Sequence, residues 1–154
     1  MMSDQFAFQL MNRTRQGLLK HLESLPADKR GVVPVGFNNN VHWQLGHVIT
    51  VTDGLIHRFS GRAITLPEHF ARFFGPGTKP ADWTEEPPAW DDLIQLLKDQ
   101  PARLRETFEP VLEESVAQKD NFASAVTVGD LFHLCNTHES SHTGMVNAMV
   151  RILK

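Results

Sequence analysis

The stretch Thr127–Lys154, with the sequence TVGDLFHLCNTHESSHTGMVNAMVRILK, decides the predicted fold. Thr127 and Asp130 have the spacing of a capping box, in which each side chain accepts a hydrogen bond from a free N–H at the start of a helix. On a helical wheel of about 100° per residue, one face collects apolar side chains. These are Leu131, Leu134, Met145, Met149 and Ile152. The stretch therefore predicts a long amphipathic helix that runs nearly to Lys154 and packs its apolar face against other helices.

Two histidines lie within this apolar face. His138 and His142 are four residues apart, so their side chains are neighbours one helical turn apart. A buried imidazole is costly unless its nitrogens have partners. The spacing suits two ligands of one metal ion, and zinc, nickel and copper all accept imidazole. The alternative is a pair of core histidines held by hydrogen bonds. The opposite face, which carries His133 and Asn136, is predicted to face solvent.

Residues 138–142, HESSH, also match the H-E-x-x-H motif of metalloproteases, in which the glutamate is the general base. A protease is the less favoured alternative, because residues 143–154 contain no His, Asp or Glu that could complete such a site. Glu139 lies at the border of the apolar face, where we expect either a structural residue or a catalytic group that orients water or accepts a proton. Cys135 is interpreted as a small core residue, with an accessory ligand or a redox-sensitive thiol as the alternative.

Three further helical patterns precede this stretch, and strand alternation is absent from the sequence pattern. The first pattern runs from about Ser3 to Leu25 and the second from about Asn40 to Ser60. The third begins near Trp90, and its apolar stripe continues to Leu112. Pro101 lies inside the third pattern and predicts a kink or a break there, because proline removes a helical hydrogen bond.

A long connection, Arg62–Ala89, separates the second and third helical patterns and is rich in Pro and Gly. Long loops of this kind tend to be lids or binding loops, and residues 67–74 could form one or two helical turns. Its aromatic side chains are expected to cover a bundle seam or to wall a pocket; these are Phe70, Phe73, Phe74 and Trp83. The chain is therefore predicted to be all-α, a single domain over 1–154 that forms a four-helix bundle with a long crossover connection between helices two and three.

The second helix supplies the third candidate ligand. His47 shares a stripe with Trp43, Thr50 and Gly54, whereas the other histidines of this helix project elsewhere. Gly54 is expected to leave room beside the imidazole. Asn40, Trp43 and Thr50 are the candidate substrate-binding residues on this stripe, although Asn40 is also a good helix N-cap. Two helices would then supply three histidines and leave coordination positions open, as in catalytic sites.

The composition excludes several classes of protein. The net charge of -3 provides no basic excess, so nucleic-acid binding is not expected. No apolar run approaches the ~20 residues that a membrane helix needs, so no membrane association is expected. A single cysteine excludes an intrachain disulfide, and the N-terminal sequence does not have the pattern of a signal peptide. We therefore expect a cytoplasmic protein.

Residues 40–47, NVHWQLGH, and the later pattern H-x-x-x-H-x-G at residues 138–144 resemble the W-x-x-G-H and H-x-x-x-H-x-G-Q motifs of the DinB/YfiT-like superfamily. Met145 stands where glutamine is common in that superfamily. The resemblance implies a metal-binding four-helix bundle, often a homodimer, with a divalent metal ion such as zinc or nickel held by three histidines. Carried over, these ligands are His47, His138 and His142. Relatives include S-transferases that use bacillithiol or mycothiol and a mycothiol-dependent maleylpyruvate isomerase.

These observations together favour a metal-dependent enzyme that acts on a small molecule. The expected reaction is S-transfer from a bacillithiol-like, low-molecular-weight thiol cosubstrate, or hydrolysis of a small molecule. The first alternative is a non-catalytic metal-binding protein of the stress response. The second is a plain dimeric bundle in which the histidine pair is structural.

Overall fold

The computed structural model describes residues 2–154, with side chains from Gln5 onward. Within this range it contains four long α-helices and one short one, three single-turn 3-10 helices, and no β-strand. The helices are α1 (Met2–Glu23), α2 (Val41–Phe59), α3 (His69–Phe74), α4 (Trp90–Phe108) and α5 (Val128–Leu153). The predicted all-α bundle and its long crossover between the second and third long helices are confirmed. The one or two helical turns expected in the crossover are α3.

The starts of α2 and α5 follow from local hydrogen bonding. Asn40 caps α2, because its side-chain oxygen accepts from the backbone N–H of Trp43 at 2.8 Å. Thr127 and Asp130 form the predicted capping box at the start of α5. The last helix therefore begins where the sequence pattern places its start.

The long helices form a ring. α5 packs against α1 and α2, and α4 packs against the same two helices. The core consists of two apolar clusters, one around Leu97 and Phe74 and the other around Phe108 and Phe132. None of the helices described between residues 2 and 154 has the length and apolarity needed to span a membrane.

A buried polar layer separates the two apolar clusters, with one residue from each long helix. Each member lies along its helix between a residue of one cluster and a residue of the other. The members are Arg15 on α1, Thr52 on α2, Gln100 on α4 and Glu139 on α5. Arg15 donates hydrogen bonds to Glu139 and Gln100, and Gln100 donates to the carbonyl of Ile49 on α2. The layer therefore joins all four long helices through hydrogen bonds.

Pro101 predicts a kink or a break, and of these the break does not occur, because α4 continues through this residue from Trp90 to Phe108. Pro101 has no N–H, so the carbonyl of Leu97 lacks its helical donor. Arg15 Nη1 donates to this carbonyl at 2.8 Å. A partner from α1 thus replaces the missing hydrogen bond. The third helical pattern continues to Leu112 in the sequence, whereas α4 ends at Phe108. Leu112 is buried, as its apolar side chain predicts, but it lies beyond the helix.

Two predicted positions on α5 are wrong. Asn136 was expected to face solvent but is buried, and its amide nitrogen donates to the carbonyl of Ala7 on α1 at 3.0 Å. Ile152 was expected on the buried face but is 56% exposed, while Leu153 packs against the core instead. His133 is exposed, as predicted.

Candidate metal centre

The three histidines that the sequence singles out come together between α2 and α5. One nitrogen atom each from His47, His138 and His142 lies within 4.8 Å of the other two. Nε2 of His47 is 3.2 Å from Nε2 of His138. The ring centroids of His138 and His142 are 4.4 Å apart, as expected for neighbours one turn apart on α5. We refer to these three residues as the histidine triad.

The outer nitrogens of two triad members have hydrogen-bond acceptors. Nδ1 of His47 lies 2.6 Å from the carbonyl oxygen of Phe74, and Nδ1 of His142 lies 2.6 Å from Oε1 of Gln44. Both oxygens can only accept, so each Nδ1 carries the proton and each Nε2 keeps its lone pair. Metal-binding histidines usually have this arrangement, because the outer hydrogen bond sets the tautomer and the orientation of the ring.

The triad fits a divalent transition-metal ion. Three imidazole nitrogens are a donor set that zinc, nickel and copper accept. In a tetrahedral zinc site with bonds of about 2.0 Å, the nitrogens lie about 3.3 Å apart. The His47–His138 nitrogen distance of 3.2 Å already matches this separation. Nδ1 of His138 is buried and has no hydrogen-bond partner among the described residues.

Burial keeps the triad neutral near pH 7. Desolvation lowers the pKa of His47 to about 4 and that of His142 to about 3, and the neighbouring imidazoles act in the same direction. Desolvation also lowers the pKa of His138, although the nearby Glu139 carboxylate opposes the shift. A neutral imidazole offers a lone pair to a cation, so the triad is in its metal-binding form without losing a proton.

Gly46 allows the crossover to approach α2 at the triad. A Cβ atom at this position would lie under 3.0 Å from three atoms of the Phe74 ring. The ring therefore packs directly on the helix backbone, and the Phe74 carbonyl reaches His47. The expectation that Gly54 makes room at the site is wrong, because a Cβ at Gly54 meets no atom within 4 Å.

The predicted substrate-binding residues have different environments. The Trp43 ring stacks on the His47 ring with centroids 4.3 Å apart, and its Nε1 donates to Thr78. Both ends of the Asn40 amide are occupied, by the N-cap hydrogen bond and by the carbonyl of Gly31. The Thr50 hydroxyl is buried and has no partner among the described residues. Contact of these residues with a substrate stays a prediction.

Glu139 is completely buried, although the helical wheel places it at the border of the apolar face. Arg15 donates from Nε to Oε2 at 2.8 Å and from Nη2 to Oε1 at 2.6 Å. The hydroxyl of Thr52 also donates to Oε1. The carboxylate thus belongs to the polar layer. Sequence reasoning missed Arg15, although its position between Met11 and Leu18 on the apolar stripe of the first helix is a usable signal.

The remaining predicted candidates are part of the core. Cys135 is fully buried, and desolvation raises the pKa of its thiol strongly, in agreement with a core residue. The aromatic side chains of the crossover pack against the apolar cluster around Phe74 and cover the seam beside α2; they are Phe70, Phe73, Phe74 and Trp83. Phe70 also lines a cavity, so both expectations for this set hold in part.

The sequence is also similar to a family of known proteins. The family model of the DinB superfamily matches residues 10–146, a range that includes the whole histidine triad. No curated protein matches the sequence at a significant level.

Proposed function

The chain belongs to the DinB superfamily, and from this premise we propose that it is a metal-dependent enzyme that acts on a small molecule at the histidine triad. The observation that carries the proposal is that the outer nitrogens of two triad histidines are held by hydrogen bonds. Nδ1 of His47 and Nδ1 of His142 each have an acceptor, and such contacts set the tautomer and the orientation of a metal-binding ring. Three protein ligands leave coordination positions for a substrate.

The reaction that we favour is S-transfer from a low-molecular-weight thiol of the bacillithiol type. The ion, when bound, supplies Lewis acidity that favours the deprotonated form of a thiol or of water. The thiol sulfur forms a bond to an electrophilic carbon, the thiol proton passes to solvent, and the leaving group departs with the bonding electron pair. Hydrolysis of a small molecule uses water in place of the thiol.

Within this proposal, Glu139 positions the site. To accept a proton, its carboxylate would have to weaken its contacts with Arg15, which is itself 3% exposed and would lose its counter-ion. Glu139 directly follows His138 on α5. The ion pair of Glu139 with Arg15 therefore holds this turn of the helix in a fixed rotation. We therefore assign proton acceptance to solvent and orientation of His138 to Glu139.

The first experiment is elemental analysis of the untagged protein and of His138→Ala, His142→Ala and His133→Ala. His133 is exposed on the same helix and serves as the matched control. We expect about one zinc or nickel ion per chain in the parent and in His133→Ala, and loss of the ion from the other two variants. A screen of thiols and electrophiles on the metal-loaded protein then tests S-transfer. Full turnover by the metal-free protein would contradict the proposal.

One observation favours a second candidate, a non-catalytic metal-binding protein. The two cavities that adjoin α2, one lined by Ile49 and His57 and the other by Thr50 and Gly54, are not lined by a member of the triad. Such a protein would bind metal and gain stability from it, but every thiol and hydrolase screen would fail. Metal-dependent turnover of any small molecule would exclude this candidate.

A further inference from the structure

A cavity of about 500 Å³ lies between α2 and the crossover connection. On the α2 side it begins at Thr50, one helical turn after His47. On the crossover side it includes Gly75, which follows directly after the residue whose carbonyl contacts His47. Its size is in the range of pockets that hold small organic ligands, roughly 300–1,000 Å³. The cavity thus borders the histidine triad without containing it.

The walls of this cavity are mainly apolar. They include Val51, Leu55, Phe59, Ile64, Phe70 and Phe122. Phe122 is 76% exposed and Ile64 is 42% exposed, although both have large apolar side chains. Apolar side chains that remain exposed around a cavity are typical of a surface that binds a ligand. The shape and the lining therefore suit the apolar body of an organic molecule.

Three charged residues line the cavity, and only one of them is a cation. The carboxylate of Asp53 is already occupied, since it accepts from the backbone N–H groups of Thr65 and Leu66. Arg58 is exposed in the last turn of α2 and forms no ion pair with another described residue. Glu68, on the crossover, would repel an anion placed beside it. An anionic group is therefore favoured near Arg58 alone.

We propose that this cavity binds an organic anion, with its apolar body between α2 and the crossover and its anionic group at Arg58. Thr50 and Arg58 are eight residues apart on α2, which corresponds to about 12 Å along the helix. An anion of that length reaches from Arg58 to the edge of the histidine triad. We assign this anion as the substrate of the triad, and this assignment rests on the function proposed above. The binding of the anion to the cavity does not depend on that function.

The test uses two fluorescent probes that share an apolar ring system. One is 8-anilinonaphthalene-1-sulfonate and the other is its uncharged analogue N-phenyl-1-naphthylamine. Both are titrated into the full chain with a chelator and again with zinc.

In Gly54→Leu the new side chain extends from the cavity wall into open space, so we expect both probes to bind at least about tenfold more weakly. Gly17→Leu, on α1, is the matched control, because it also has open space but does not line the cavity.

The charge assignment is tested with Arg58→Gln and Glu68→Gln. Arg58→Gln should weaken the sulfonate several-fold, more so at low salt, and leave the uncharged probe unchanged. Glu68→Gln should leave the sulfonate unchanged or strengthen it. An equal loss of both probes in Arg58→Gln would overturn the anionic part of the proposal.

If both probes bind equally well to Gly54→Leu, Gly17→Leu and the parent, the proposal that the cavity is their binding site is overturned. If Gly54→Leu does not fold by circular dichroism, Ala71→Leu fills the cavity from its exposed crossover wall and replaces it in the test. The two proposals also fail separately. If the protein binds the probes but takes up no metal ion when it is reconstituted, only the proposed function is contradicted. If it binds metal but neither probe, only the cavity as a binding site is contradicted.

Discussion

The carbonyl oxygen of Phe74 lies 2.6 Å from Nδ1 of His47, and this contact joins the crossover to the histidine triad. It depends on Gly46, because a side chain at that position would overlap the Phe74 ring. The ring is fully buried and cannot turn outward without opening the apolar cluster that contains it. The orientation of a candidate metal ligand is therefore set by a glycine that does not contact the metal position.

Replacing Gly46 with alanine should damage both stability and metal binding. Overpacking of this kind destabilises a core by about 1–3 kcal/mol, and displacement of Phe74 removes the acceptor of His47. Gly54→Ala is the control, since its Cβ meets no atom and the change should stabilise the helix by about 0.5–1 kcal/mol. Thermal unfolding with a chelator and a zinc titration measure the two effects. Equal behaviour of the two variants would contradict the role of Gly46.

Replacing Gln44 with leucine should weaken the metal site while leaving its three ligands in place. The change removes the acceptor of His142 Nδ1, and loss of such a contact typically lowers metal affinity by about 10–100-fold. Asn39→Ala is the graded control, because Asn39 only accepts a hydrogen bond from the far end of the Gln44 amide. Competition with a chromophoric chelator gives the affinities. Unchanged affinity in Gln44→Leu would show that the ring needs no such partner.

The Arg15–Glu139 pair should show strong coupling in a double-mutant cycle. Arg15→Met leaves a carboxylate that is 0% exposed without its counter-ion, which costs about 3–5 kcal/mol. Glu139→Leu leaves the guanidinium in the same situation. The double variant, with both charges removed, should recover much of the loss in urea-induced unfolding. Additive losses would mean that the two side chains do not stabilise each other.

The stability of the metal-free protein should fall in acid because of the triad. The pKa values of His47 and His142 lie at about 4 and about 3 in the fold, below their ordinary value of 6.5. The unfolded chain therefore binds more protons in this range, so the contribution of the triad to the free energy of unfolding is fully present above pH 6.5 and decreases as the pH falls toward 4.

His142→Gln should make this decrease less steep, which urea unfolding between pH 4 and 7 would measure. His57 acts in the opposite direction: burial lowers its pKa, but hydrogen bonds to Asp53 raise the pKa above its ordinary value. The contribution of His57 is present below pH 6.5 and is lost at higher pH, so His57→Gln is the informative control. The same slope in His142→Gln and in the parent would remove the triad as the cause.

Local sequence signals predicted the helices well, and they also predicted that two of the three candidate ligands lie side by side. The capping box at Thr127 and the wheel that places His138 and His142 together depend only on neighbours within a few residues, which helical periodicity reports directly. His47 required a second helix and the motif resemblance, because periodicity places it on a stripe but does not say which helix that stripe faces.

By itself, the sequence determined the all-α class, the four long helices, the crossover between α2 and α4, and the residues able to form a metal site. Only the tertiary structure decided the partners. Arg15 meets Glu139 across 124 positions of sequence, and Phe74 meets His47 across 27. The continuity of α4 at Pro101 likewise depends on a donor from α1. The physical reason is that a pattern along one chain segment fixes the face on which a side chain lies, whereas its hydrogen-bond partners depend on how the helices pack.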